Sequence, residues 1–112
     1  MADIFDKLES DISQAITRYE EAGKTHLLML KAKDDVETEW GRLTALQLLD
    51  GSSMETAIGK VHATPRGQEL ADLIRIRRAD SDLSRQEHNR SLFAVEVALL
   101  KARWETIREE RR

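Results

Sequence analysis

Cysteine is missing from this sequence, and proline, glycine and aromatic residues are scarce: one Pro, five Gly and 4% aromatics in 112 residues. Without cysteine there can be no disulfides and no thiolate metal sites, and the redox compartment is left open. So few aromatic residues, beside 35% charged residues, favour helices with solvated faces over a sheet-rich core. No apolar run approaches the length needed to span a membrane. The amino terminus, MADIFDKLESD, is acidic and lacks the basic-then-apolar layout of a secretory signal. A soluble, cytoplasmic protein that does not enter membranes is the expectation. At this length the chain makes one domain at most.

What is present is long helical patterning on either side of one break. Asp50 to Gly67, DGSSMETAIGKVHATPRG, is the only stretch dense in helix breakers. Asp50-Gly51 reads as a stop, because glycine tolerates the left-handed conformation that ends many helices. Ser52-x-x-Glu55 has the capping-box pattern, which predicts a short helix from about Ser53. Thr64-Pro65 predicts a further start, with Thr as the cap and Pro in the first turn, where its missing N–H costs nothing. The expected elements are a helix over 3–49, a hinge over 50–64 holding a short helix, and a helix over 65–111.

Both long segments carry heptad seams. In the first it runs Phe5, Leu8, Ile12, Ala15, Tyr19, Ala22, His26, Met29, Lys33, Val36, Trp40, Leu43. In the second it runs Ile76, Ala79, Leu83, Gln86, Arg90, Phe93, Val97, Leu100, Trp104, Ile107. Joined seam to seam, the two make an antiparallel hairpin roughly 70 Å long at 1.5 Å per residue. Facing residue numbers then add to roughly 115, as hairpin geometry about the hinge requires. That register sets His26 opposite Arg90 and near His88, and Lys33 opposite Asp82. It also sets Asp34, Asp35, Glu37 and Glu39 against Arg75, Arg77 and Arg78, and Asp3, Asp6 and Glu9 against Arg108, Arg111 and Arg112. The charge balance agrees: residues 1–50 hold six Lys/Arg and eleven Asp/Glu, and residues 51–112 hold twelve and ten.

A second apolar stripe lies outside these seams. Leu92, Val95 and Leu99 on one helix, with Ile16, Leu27 and Leu30 on the other, form the expected partner face. A contiguous apolar face of that size does not stay in water. The expected architecture is therefore all-α: a long antiparallel helical hairpin with a short hinge helix, dimerising into a four-helix bundle.

No motif for catalysis, metal or nucleotide binding stands out. Glu87 and His88 are adjacent and so do not share a helix face, and His26 supplies no Glu-x-x-His partner. The paired carboxylates Glu20-Glu21, Asp34-Asp35 and Glu109-Glu110 lie on charged faces, not in a pocket that would shift their pKa values. A helical-bundle enzyme is the weakest reading, and no cofactor is expected. The leading reading is a non-catalytic protein–protein interaction module: an adaptor, assembly factor, chaperone-like binder or inhibitor, partnered by itself and by another protein. The alternative is a nucleic-acid-associated protein that uses the basic face from Arg66 to Arg90, with Arg75, Arg77 and Arg78 as contacts. It is not favoured, because aromatics for base stacking are missing nearby and the acidic run on the facing helix already supplies partners for the arginines.

Overall fold

The computed structural model describes residues 2–112. It contains three α-helices, α1 (Ala2–Leu49), α2 (Met54–Ala63) and α3 (Pro65–Glu110), and no strand among the described residues. The fold is all-α. The contacts divide into two compact units. One, the terminal unit, joins Met1–His26 to Ser84–Arg112; the other, the hinge unit, is Leu27–Leu83.

The turns follow from local chemistry. Gly51 has a φ of 88°, the left-handed region that glycine enters without penalty. Its N–H reaches the Leu48 carbonyl at 3.0 Å and satisfies one of the acceptors left open at the end of α1. The cap of α2 sits one residue later than the Ser52-x-x-Glu55 pattern suggests. Ser53 is the cap residue; its hydroxyl oxygen accepts from the Thr56 N–H, and its O–H donates to Thr56 Oγ1. Ser52 instead accepts from Lys60 Nζ at 2.8 Å.

A single residue, Thr64, joins α2 to α3. Its N–H and its hydroxyl both donate to the Val61 carbonyl, while the hydroxyl oxygen accepts from the Gly67 N–H at 3.0 Å. One side chain thus closes the end of one helix and the start of the next. The turn is so tight that a Cβ at position 67 would overlap the Val61 carbonyl, which leaves glycine as the fitting residue.

The hinge unit has a core fed by all three helices: Thr44 from α1, Ala57 and Val61 from α2, and Gly67, Leu70 and Ser81 from α3 are buried. Leu70 is 0% exposed. Trp40 meets His62 edge-on, with ring centroids 4.9 Å apart. Arg66 bridges to Glu39 at 2.6 Å and Arg78 to Glu37 at 2.8 Å, which ties α3 to α1 within this unit.

The terminal unit has two helical segments and little core. Only Ala15 and Ser91 are buried among its described residues. Tyr19 stacks on His88 at 4.7 Å, and His26 Nδ1 shares a 2.8 Å hydrogen bond with Ser84 Oγ. Gly23 makes room for the His88 ring, since a Cβ there would come within 3.2 Å of Nε2.

These contacts correct the expected seam of α3. The inward face of the terminal unit does not include Phe93, Leu100 and Trp104, which are exposed, while Val97 and Ile107 of the expected seam are half-buried. That face is made by Ser84, His88, Ser91, Val95, Ala98 and Ala102, which are buried or half-buried. On α1 the inward residues Leu8, Ile12, Ala15, Tyr19, Ala22 and His26 do follow the heptad seam. The facing positions change accordingly: His26 lies against Ser84 rather than Arg90, with the His88 ring 6.0 Å away. Small residues dominate the α3 side of the contact, and its serine hydroxyls are hydrogen-bonded, Ser84 with His26 across the helices and Ser91 within α3. Ser91 donates to the His88 carbonyl at 2.7 Å.

Candidate interaction surface

Once the small-residue face of α3 is turned inward, its apolar heptads are left outside. Phe93 is 64% exposed, Leu100 57% and Trp104 68%, with Val97 and Ile107 half-buried beside them. Their spacings of four and three make a continuous stripe on one side of the helix. Leu92 and Leu99 are exposed on a neighbouring flank. Between Leu92 and Leu100 only Glu96 is charged, so this stretch of α3 presents apolar side chains on more than one side.

α1 supplies the other wall. Ile4 and Phe5 are exposed and Leu8 half-buried. Ile4 and Leu8 line a groove of about 690 Å³ with Val97, Leu100 and Trp104, rimmed by Lys7, Asp11, Lys101 and Glu105. A second hollow of about 440 Å³ shares Leu8, Asp11, Val97 and Lys101 and carries the groove on to Phe93 and Arg18. Apolar floor and charged rim are the layout of a protein-docking surface. Trp104 and Phe93 have the size and exposure of anchor residues.

The six residues of the expected partner face fall out unevenly. Ile16, Leu92 and Leu99 are exposed in the terminal unit, where Val95 is half-buried on the inward face. Leu27 and Leu30 belong to the hinge unit, Leu27 exposed and Leu30 half-buried. Phe93, Leu100 and Trp104 were assigned by spacing to the interior, and they are the outward residues sequence reasoning missed. The signal that finds them is the stripe of small residues Ser84, Ser91, Ala98 and Ala102, which matches Ala15, Ala22 and Gly23 on α1.

The arginine cluster is committed elsewhere. Arg66 holds Glu39 and Glu69, Arg78 holds Glu37, Arg75 turns to Asp72, and Arg77 lies 3.8 Å from Asp80. Only two of these pairings, Arg66–Glu39 and Arg78–Glu37, cross to α1. The hydrogen bonds that Arg66 donates to Glu39 and then to Glu69 raise its pKa above the ordinary arginine value. Near the carboxyl end, Arg108 pairs with Glu105 and Arg112 with Glu109, each three residues away.

The histidines do not gather metal ligands. His26 and His88 meet each other, Ser84 and Tyr19, and among the described residues no group of three or more His, Asp or Glu could hold an ion. Nor is any helix among them long and apolar enough to cross a membrane. No protein-family model, curated protein or solved structure matches the chain.

Proposed function

We propose that the three helices make one long antiparallel hairpin that works as a non-catalytic protein–protein interaction module and self-associates into a four-helix bundle. The observation that carries this reading is the outward stripe Phe93, Val97, Leu100 and Trp104 above its groove. Each such side chain contributes about 1.5–3 kcal/mol when fully removed from water, before association entropy is subtracted. An adaptor, assembly factor, chaperone-like binder or inhibitor would use the face in the same way. The face from Arg66 to Arg90 is a poorer basis for a function, because a phosphate would have to displace the carboxylates already on Arg66, Arg75 and Arg78.

Affinity capture from the native host with mass spectrometry tests the reading. Binding lost in Phe93→Ala/Trp104→Ala but kept in Leu28→Ala, an exposed leucine of the hinge unit, is the expected result. Capture indifferent to the double substitution would move the function off this face.

A further inference from the structure

We infer that the occupant of the α3 stripe is the same stripe of a second copy, packed antiparallel about a two-fold axis between Ala98 and Leu99. The inference rests on the interaction reading above and adds to its self-association the face, the direction and the register.

The stripe has coiled-coil spacing, with Val97 and Trp104 at one core position and Phe93, Leu100 and Ile107 at the other. Antiparallel core packing alternates these two classes across the axis. One register then sets Phe93 against the partner's Trp104 and Val97 against the partner's Leu100, each contact occurring twice by symmetry.

Flanking charges select that register from its competitors. In an antiparallel pair each flank of the stripe meets the same flank of the partner. One flank carries Glu96 and Arg103, both exposed, around a hollow that also contains Leu99 and Leu100. In the proposed register Glu96 faces the partner's Arg103. The other flank carries Glu87, Ala94, Lys101 and Arg108. There Glu87 faces the partner's Arg108, and Ala94 faces the partner's Lys101. Glu87 and Arg108 now make exposed pairs along their own helix, with Arg90 and Glu105, which exchange readily because such pairs are weak.

The alternatives set like charges together. A slip of one heptad towards the carboxyl terminus brings Arg103 onto the partner's Arg103, Lys101 onto the partner's Lys101 and Glu96 onto the partner's Glu110. A slip the other way brings Glu96 onto the partner's Glu96. A parallel pair sets Arg103 against the partner's Arg108 but Glu96 against the partner's Lys101, so the charges select the register more strongly than the direction. Like-charge juxtaposition of this kind discriminates between registers even where each ion pair adds little.

A charge-reversal cycle on the full chain tests this, with the dimer constant read by sedimentation equilibrium and helicity by circular dichroism. Glu96→Arg alone and Arg103→Glu alone should each weaken the dimer by at least about tenfold, since each creates like-charge contacts twice over. The double variant Glu96→Arg/Arg103→Glu should return to within about threefold of wild type, because the two changes couple across the axis. Leu100→Glu should abolish the dimer while leaving the exposed helix intact. A wild type that dimerises but shows no rescue in the double variant overturns the register. A wild type that stays monomeric at about 100 μM, a concentration that would populate even a weak dimer, overturns the second copy as occupant. In that case, host capture that depends on Phe93 and Trp104 would still uphold the interaction reading, and its loss would remove both.

Discussion

The hinge unit and the terminal unit are built from the same two long helices, yet they solve burial differently. In the hinge unit α2 supplies Ala57 and Val61 as a third wall, and Leu70 is wholly enclosed. In the terminal unit α3 turns mostly serine, alanine and histidine towards α1, and Phe93, Leu100 and Trp104 stay exposed. Two helices can each bury one stripe against the other, whereas a third element is needed to enclose a helix. Among the described residues the terminal unit is built from α1 and α3 alone.

The sharpest way to break the comparison is a leucine in each unit. Leu70→Ala should cost about 2–5 kcal/mol in urea denaturation, because a fully enclosed side chain leaves a cavity behind. Leu100→Ala, at a protein concentration low enough to keep the chain monomeric, should stay within about 0.5 kcal/mol of wild type. Equal costs would mean that Leu100 is enclosed within the monomer.

Next in size is Gly67→Ala. The added methyl group meets the Val61 carbonyl, so the backbone must shift at a cost of about 1–3 kcal/mol. Gly51→Ala acts by a different route, forcing an L-residue into the left-handed region for about 1–2 kcal/mol. Both are read as shifts of the thermal midpoint followed by circular dichroism. A neutral Gly67→Ala would show that α2 and α3 are not joined as tightly as described.

Helix ends and the α1 face are legible in the sequence because they rest on local rules. Gly51, Thr64 and Pro65 each do what their backbone chemistry allows, and the Leu8-to-His26 stripe is both the apolar heptad and the inward face. The α3 face is not legible by the same rule. Ranking its stripes by apolarity selects Phe93, Val97, Leu100 and Trp104, whereas Ser84, Ser91, Ala98 and Ala102 turn inward. The strongest apolar stripe thus marks the surface, and the weaker one the internal contact. The cap of α2 slips by one for a similar reason, since Ser52 and Ser53 offer the same hydroxyl and only one of them lies within reach of the Thr56 N–H.

The smallest effects sharpen the comparison from the side of charge. Arg78→Ala removes an exposed cross-helix pair with Glu37 and should cost no more than about 1 kcal/mol. A duplex or single-stranded nucleic acid should show no salt-sensitive binding that Arg77→Ala/Arg78→Ala abolishes. Such binding, weakening steeply with salt, would transfer the function to the hinge unit.

The Thr64 junction has a kinetic consequence. Its hydroxyl holds the Val61 carbonyl and the Gly67 N–H at once, so neither helix end can fray without releasing the other. Deuterium uptake at the amides of Thr64 and Gly67 should therefore proceed at one shared rate, whereas Thr64→Val should let the two amides exchange independently.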